Sequence, residues 1–470
     1  MLAFVGVLSA CGGGGGGGGS SPPIGSTPTP TPPPTGTTCS LADRQAWVAG
    51  EIREWYLFPE TLPATNPVGA PTLSDFVDAM TATARAQRRD RFFTYVTSIA
   101  EENAFFQQGS SAGFGIRLSI DAAQRRLFIA EAFEGAPALA AGIDRGTEIL
   151  AIGTSAATLR TVDSIIATEG SAGITNALGP NTVGTTRVLR ISDAAGTRDV
   201  TVAKADFTLT PVSSRYGARI IDDGGRRVGY VNLRTFIDTA DPALRNAFAQ
   251  FRAQGITEVI VDLRYNGGGL VSIGELLGDL LGANRVGQVF SRTVFRPEKA
   301  VNNSTDLFGA QAEAIASTRI AFIGTGGTAS ASELVINSFI PYLGANAALV
   351  GTNTYGKPVG QIARDRPQCD DRLRVVAFAT QNSAGQGAYF DGLAPFMQAT
   401  CRAGDDLTFQ LGDPREASIR ASLDFLAGRA CTPIASASAA SAQTAQSEAE
   451  RELVSPLRPT PAQREVPGFF

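Results

Sequence analysis

The chain has 470 residues, of which 43% are hydrophobic and 18% are charged, and its formal net charge is −4. This length predicts roughly two to four domains, and the composition excludes a wholly disordered chain. The balance of 40 basic and 44 acidic residues gives no sign of nucleic-acid binding. Histidine is absent, which excludes every Ser-His-Asp and Cys-His mechanism and every zinc site with a histidine ligand.

The first residues, MLAFVGVLSAC, are followed by a run of glycine over 12–19. The segment LSAC (8–11) resembles a bacterial lipobox, which implies cleavage before Cys11 and lipidation of this cysteine. The apolar stretch is too short to span a bilayer, and it lacks the usual preceding Lys or Arg. We expect 1–11 to be a lipoprotein signal segment and the Gly/Ser/Pro/Thr-rich residues 12–38 to be a tether. A random apolar N-terminus with a free cysteine is the alternative. If 1–11 is a lipoprotein signal, the protein is periplasmic and is anchored to a membrane by the lipid on Cys11. Gly12, the residue after this cysteine, favours the outer membrane.

The remaining four cysteines predict disulfides, as is usual in an exported protein. Three pairings are possible, and we favour Cys369–Cys401, which closes a local loop, with Cys39–Cys431, which joins the two ends of the folded part. Four buried thiols are the alternative. Because the CxxC and CxxxC spacings of metal sites are absent, we expect no metal.

Residues 39–108 predict a small helical region. Ser40 is a suitable N-cap, and Trp47, Ile52 and their apolar neighbours recur at helical spacing. A second helix is predicted from 73 to about 88.

Residues 109–208 contain short β-rich runs separated by glycine and turn residues. The phrase GAPALAAGIDRGTEILAIGTSA (135–156) resembles the central part of a PDZ domain. This resemblance implies that Gly113, Phe114 and Gly115 form the carboxylate-binding loop, which captures a C-terminal peptide as an added strand. A small β-barrel without a ligand is the alternative.

Residues 209–431 alternate strands and helices, which predicts an α/β core. The predicted strands include 227–233, 257–263, 319–324 and 347–351, and the predicted helices are 242–254, 271–281 and 332–343. The remaining 432–470 are rich in Ala, Ser, Gln, Glu and Pro, and we expect a disordered tail there.

Three segments of this core follow predicted strands, where open α/β folds bind their ligands. The segment DLRYNGGG (262–269) has glycines that leave backbone N–H groups unobstructed, which suits an oxyanion hole. In TASASE (328–333), a serine precedes a helix and so lies at the positive end of the helix dipole, which favours negative charge there. The alternative is a simple capping box, in which Glu333 completes the cap that Ser330 begins.

The third segment, YGKP (355–358), contains one of only three lysines, Lys204, Lys299 and Lys357; the other 37 basic residues are arginine. Without histidine, a lysine is the natural base for a serine nucleophile, provided that burial lowers its pKa. Arginine is never deprotonated in proteins and cannot serve. A surface lysine is the alternative.

Taken in order, these segments resemble the C-terminal processing (tail-specific) peptidases. The matching phrases are VIVDLRYNGGG (259–269), GTASASELVINSF (327–339), LVGTNTYGKPVGQ (349–361) and, more loosely, GAYFDGLAP (387–395). The resemblance implies a crotonase/ClpP-like β-spiral core preceded by a PDZ domain. It also implies a serine endopeptidase without a cofactor, acting on proteins or peptides with free C-termini.

Carried over by position, the resemblance makes Ser330 the nucleophile and Lys357 the general base, oriented by Gln361. It assigns the oxyanion hole to the N–H groups of Gly268 and Ala331.

Ser332 is the rival nucleophile. Ser330 and Lys357 are 27 positions apart, two more than is usual in the family, and we expect the extra residues in the turn 343–346. If they lie elsewhere, Ser332 would restore the usual interval. The competing functions are a catalytically silent peptide-binding scaffold and a crotonase-like acyl-CoA enzyme. The second of these explains neither the PDZ segment nor the export signal.

Overall fold

The structure is a computed structural model, and it describes residues 39–435 and 451–470. The predicted signal segment 1–11, with Cys11, and the predicted tether 12–38 lie outside the described residues. Within the described ranges, no helix has the length and apolar character needed to cross a membrane.

The N-terminal region is helical, with one strand. Its elements are α1 (Leu41–Trp55), α2 (Leu73–Met80), α3 (Ala82–Ala86), β1 (Tyr95–Ser98) and α4 (Ile99–Gln108). Ser40 caps α1 by accepting a hydrogen bond from the Asp43 N–H at 3.2 Å. The single helix predicted over 73–88 is two helices, because the chain leaves helical geometry at Thr81, whose ψ is 7°.

The next module is an antiparallel sheet covered by a helix. Its elements are β2 (Ser110–Gly113), β3 (Ile116–Asp121), β4 (Arg126–Ala132), α5 (Pro137–Ala140), β5 (Glu148–Gly153), β6 (Arg160–Thr161), α6 (Val162–Leu178), β7 (Thr186–Asp193), β8 (Gly196–Ala203) and β9 (Ala205–Thr208). The sheet order is β3-β4-β5-β7-β8, with β6 on β5, and β2 pairs with β9. Apolar side chains of α6 and of the strands form one buried core.

The predicted α/β core is confirmed. Its elements are β10 (Ala218–Asp223), β11 (Arg226–Asn232), α7 (Ala240–Ala253), β12 (Glu258–Asp262), α8 (Val271–Leu281), β13 (Val289–Phe295), β14 (Ser304–Leu307), β15 (Arg319–Gly324), α9 (Ala331–Leu343), β16 (Ala347–Gly351), β17 (Val359–Arg366), β18 (Asp371–Gln381), β19 (Ala399–Arg402) and α10 (Ala417–Leu426). The central sheet has the order β10-β11-β12-β15-β16-β19. All its neighbouring strands are parallel except β10 and β11.

Helices cover both faces of the central sheet. Side chains of α7, α8 and α9 form the core on one face, and side chains of α10 form the core on the other. This double cover explains why β12, β15 and β16 are continuous apolar runs rather than alternating ones. A second, antiparallel sheet (β1-β18-β13-β14, with β17 on β18) joins the N-terminal region to the core.

The prediction of a disordered tail is wrong for residues 451–470, here called the tail segment. It forms β20 (Glu452–Leu453), which pairs with β3, and α11 (Pro461–Glu465). Several of its apolar residues are buried, namely Val454, Val466, Phe469 and Phe470. The polar composition of the preceding residues concealed these apolar positions, whose burial stabilises the packed segment.

The favoured disulfide pairing is also wrong. The structure joins Cys39 to Cys369 and Cys401 to Cys431. Cys401 lies in β19, and the residues around Cys431 run beside this strand, as the 2.6 Å hydrogen bond from the Arg402 N–H to the Thr432 carbonyl shows. Closeness in sequence was therefore a poor guide to which cysteines are paired, because the sheets bring segments that are distant in sequence together.

The observed pairing predicts which thiol each substitution releases. Cys39→Ala should free Cys369, and Cys431→Ala should free Cys401. Maleimide labelling of the denatured, unreduced protein, followed by peptide mapping, identifies the free thiol. Release of Cys431 by Cys39→Ala would instead support the pairing favoured from the sequence.

Candidate functional site

The three segments singled out in the sequence meet at one edge of the central sheet. They follow β12, β15 and β16, which are adjacent and parallel, so their carboxyl ends lie side by side. Thr328 fastens them together. Its hydroxyl donates to the Leu263 carbonyl at 2.8 Å, and its own carbonyl accepts from the Tyr355 N–H at 2.9 Å.

Ser330 lies at the N-cap of α9 in a strained conformation, with φ 56° and ψ −116°. Positive φ is uncommon outside glycine, and it persists only where the surroundings enforce it. Gly268 lies directly against this residue. A Cβ built on Gly268 would lie 2.7 Å from the Ser330 Cβ and 3.1 Å from the Ala331 nitrogen. The glycine-rich segment and the serine segment are therefore in direct contact.

Ser332, the rival candidate, has a structural position. It is fully buried, and its hydroxyl donates to the Asn266 carbonyl at 3.0 Å. Ser330, by contrast, is only partly buried, at the mouth of the helix. Of the two serines, Ser330 is the one that a substrate can approach.

The Glu333 carboxylate joins the serine segment to the lysine segment. One oxygen, Oε2, accepts the backbone N–H of Ser330 at 3.1 Å and that of Lys357 at 2.7 Å. The other, Oε1, accepts the Gly356 N–H at 2.7 Å and the Thr354 hydroxyl at 2.6 Å. The two candidate catalytic residues are thus held on either side of a single oxygen atom.

Glu333 is completely buried. Burial raises the pKa of its carboxyl group above the ordinary value, and the hydrogen bonds from Thr354, Lys357, Gly356 and Ser330 oppose this rise. A buried carboxylate is costly unless its oxygens are satisfied, and here four donors satisfy them.

Lys357 is partly buried and lies just before β17. Its Nζ donates to the Gln361 Oε1 at 3.3 Å, and the Gln361 amide in turn donates to the Phe93 carbonyl. The Lys357 Nζ also lies 5.3 Å from the centre of the Phe93 ring. Gln361, which is predicted to orient the lysine, is thus in contact with it.

Burial lowers the pKa of the Lys357 amine below its ordinary value. Four charged groups act on it as well. Glu465 and Asp90 raise the pKa by favouring the ammonium form, whereas Arg464 and Arg374 lower it. Glu465, in the tail segment, has the strongest of these four influences.

The predicted oxyanion hole is not formed as expected. The Gly268 N–H donates to the Asn266 side-chain oxygen at 2.9 Å, so it does not face the space beside Ser330. The adjacent Gly267 N–H donates to the Glu465 carbonyl at 2.9 Å. The Ala331 N–H is at the first position of α9, where helix geometry provides no acceptor. One of the two predicted donors is thus available in this conformation.

The predicted carboxylate-binding loop is not part of this cluster. Gly113, Phe114 and Gly115 lie beside β3, and the Gly115 N–H donates to the Phe470 carbonyl at 2.9 Å. Arg117 on β3 links the two regions, since it donates to the Tyr265 carbonyl at 2.8 Å in the glycine-rich segment.

Sequence reasoning missed the contributions of Glu333, Asn266 and Glu465. Glu333 was noticed only as part of a capping box, although a carboxylate within the apolar helix sequence ASELVINSF already suggests a buried partner. The role of Asn266 depends on its side-chain orientation, which the sequence does not encode locally. Glu465 was assigned to a disordered tail.

Replacement of Glu333 tests its structural role. Glu333→Gln places an amide NH2 among N–H donors and leaves buried groups unsatisfied, so it should lower the free energy of unfolding by about 1–3 kcal/mol. The Gly356 and Lys357 amides should exchange hydrogen faster. The control, Glu313→Gln, removes a partly exposed ion pair with Arg245 and should cost less than about 1 kcal/mol. Equal effects of the two substitutions on stability and exchange would contradict this role.

Comparison with known proteins identifies the core. Residues 227–397 match the model of peptidase family S41. Carboxyl-terminal-processing peptidase 3 of Arabidopsis thaliana is 27% identical over 322 residues, which are 66% of this chain and 58% of that protein. The carboxy-terminal processing protease CtpA of Bacillus subtilis is 23% identical over 313 residues, which are 66% of this chain and 61% of that protein. The chain therefore spans less than two thirds of the length of these relatives.

The fold is also similar to that of a solved S41 protease. A solved structure described as an S41 protease, from Bacteroides fragilis, superposes with a TM-score of 0.63 at 22% identity, covering 81% of this chain and 97% of that chain. At this identity the likeness establishes a shared fold. Residues 227–397, which include Ser330, Lys357 and Gln361, are therefore similar to peptidase family S41.

Proposed function

We propose that this protein is a serine endopeptidase of the tail-specific type, in which Ser330 is the nucleophile and Lys357 the general base. The observation that carries the proposal is the Glu333 carboxylate, whose Oε2 binds the backbone N–H groups of both residues. A base must be positioned before its pKa matters, and the proposal is supported by this shared acceptor, which holds the two backbone segments side by side.

The chemistry begins with neutral Lys357. Its amine takes the proton of the Ser330 hydroxyl as the serine oxygen bonds to the scissile carbonyl carbon. When this tetrahedral intermediate collapses, the ammonium returns the proton to the leaving amine, and the acyl group stays on Ser330. Water then attacks the ester, with Lys357 again accepting and returning a proton, which frees the carboxylate product and the serine.

The negative charge on the carbonyl oxygen requires N–H donors. The Ala331 N–H is suitably placed at the start of α9, where the helix dipole adds a favourable field. The Gly268 N–H becomes the second donor once it leaves the Asn266 side chain. A shift in this glycine-rich segment is therefore part of the proposed catalytic cycle.

Substrate selection belongs to the module of residues 109–208 in this proposal. The edge of β3 that the tail segment occupies in this structure is the one on which a C-terminal peptide would add as a strand, and Gly113, Phe114 and Gly115 lie at the end of that edge. PDZ domains bind peptides in this way. The substrates are accordingly proteins or peptides with accessible C-termini.

Export and anchoring are the remaining parts of the proposal. Two disulfides within the described residues are typical of a protein in an oxidising compartment. The lipobox-like LSAC (8–11) supports attachment to a membrane through Cys11, with the enzyme facing the periplasm.

Single substitutions test the assignment. Ser330→Ala and Lys357→Ala should each lower kcat/KM for casein cleavage by at least about 1,000-fold, because removing either member of a nucleophile–base pair abolishes its action. Ser332→Ala is the matched control and should retain most of the activity after correction for any loss of stability. Loss of casein cleavage in Ser332→Ala, together with retained cleavage in Ser330→Ala, would instead identify Ser332 as the nucleophile. An inactive parent protein, even without residues 109–208, would favour a peptide-binding scaffold.

The pH dependence tests the role of Lys357. The base must be neutral, so kcat/KM should rise with pH and level off above a pKa that is lower than the ordinary lysine value of about 10.4. Because Glu465 favours the ammonium form, Glu465→Gln should move this rise to lower pH. Asp193→Asn is the control, since Asp193 forms an ion pair with Arg198 on the other module.

Lys357→Arg preserves the positive charge but cannot provide a neutral base. It should therefore be inactive over the same pH range. A pH profile that is unchanged by Glu465→Gln, or activity in Lys357→Arg, would contradict the proposed base.

A further inference from the structure

The last residues of the tail segment lie along β3 as an added antiparallel strand. The Phe470 carbonyl oxygen accepts the N–H groups of Gly115 at 2.9 Å and Ile116 at 3.1 Å, and the Phe470 N–H donates to the Ile116 carbonyl at 2.9 Å. Two residues earlier, the Gly468 carbonyl accepts the Leu118 N–H at 2.8 Å. This alternation of backbone hydrogen bonds is that of a peptide bound by strand addition.

The side chains follow the same pattern. The Phe470 ring is buried and belongs to the apolar core of the module, together with Phe114 and Leu118. The Phe469 ring packs on the other side against Phe133 and Phe207, with ring centres 5.6 and 5.8 Å away. Adjacent residues thus fill separate apolar sites, as alternation along a strand requires.

The approach of this strand to the carboxylate-binding loop is close. A Cβ built on Gly113 would lie 2.9 Å from the Phe470 carbonyl carbon. Only a residue without a side chain allows the peptide to lie there.

The same segment also reaches the candidate active site. The Gly267 N–H donates to the Glu465 carbonyl at 2.9 Å, and a Cβ on Gly267 would collide with the Arg464 carbonyl. The Arg464 guanidinium stacks on the Tyr95 ring, 3.6 Å from its centre. The Glu465 carboxylate favours the ammonium form of Lys357, the form in which lysine cannot act as a base.

We propose that the tail segment is a built-in peptide ligand: it occupies the substrate groove on β3, covers the glycine-rich segment beside Ser330, and must be displaced before a substrate is cleaved. This inference rests on the proposed function for its catalytic part only. The contacts also define the ligand class, which is a peptide with a large apolar residue, preferably phenylalanine, at the position of Phe470 and a small residue at the position of Gly468.

Tethering explains why a free peptide would compete poorly. A covalently linked ligand acts at an effective concentration in the millimolar range when its linker spans the site. An external peptide of the same sequence must overcome that concentration, so its apparent affinity for the intact chain is reduced.

The test is a binding measurement in a Ser330→Ala background, which does not depend on catalysis. The probe is a fluorescein-labelled peptide with the sequence of residues 460–470, TPAQREVPGFF, followed by fluorescence anisotropy. Phe470→Asp in the chain places a charge in an apolar site and should release the tail segment, so the probe should bind at least about tenfold more tightly than to the chain with Phe470 intact. Leu457→Asp is the matched control, because Leu457 is in the same segment but 87% exposed, and it should change nothing.

Deletion of residues 451–470 provides a second variant, and circular dichroism shows whether each variant is folded. Equal affinity of the probe for the intact, Phe470→Asp and deletion chains, or no binding to any of them, would overturn the inference. In chains with Ser330 intact, Phe470→Asp should also increase casein cleavage. Tighter probe binding without faster cleavage by an active parent would overturn the inhibitory role, whereas absence of cleavage in every chain would count against the proposed function and leave the binding result standing.

Discussion

The buried carboxylate of Glu333 is the constraint on which the candidate site depends. Ser330 and Lys357 belong to segments that follow different strands, and neither segment has regular structure to fix it. By accepting backbone N–H groups from both, Glu333 holds the two segments side by side. These contacts use backbone groups rather than the Ser330 hydroxyl or the Lys357 amine.

The surroundings of Lys357 are consistent with the proposal that a lysine takes the place of histidine as the base. The chain has no histidine, so its base must be a group whose ordinary pKa is far from neutrality. Burial lowers the Lys357 pKa, and the hydrogen bond to Gln361 fixes its direction. In the conformation described, Glu465 raises the Lys357 pKa, which is opposite to the effect of burial. The Gly268 N–H donates to the Asn266 side chain. Under the proposed mechanism, both features would have to change before a substrate is cleaved.

The sequence could predict where the site lies because parallel strands bring their carboxyl ends to one edge. The segments around Gly268, Ser330 and Lys357 were found in this way. The choice between Ser330 and Ser332 needed side-chain orientation, because both serines lie in the same short run and only burial separates them.

Other features depended on contacts between distant segments. The disulfide partners were misassigned because Cys39 meets Cys369 across 330 positions. The tail segment was misjudged because its composition is polar on average, although the sequence VPGFF at 466–470 carries apolar residues that are buried against the module of residues 109–208. Average composition conceals a short packed segment, whereas the positions of its apolar residues reveal it.

The central claim is that Ser330 is a nucleophile activated by Lys357. Covalent labelling with a fluorophosphonate probe, followed by peptide mapping, tests it most directly because it reports the reactive atom itself. We expect a single adduct on Ser330 that forms much more slowly in Lys357→Ala. An adduct on Ser332, or labelling of Ser330 at an unchanged rate without Lys357, would contradict it.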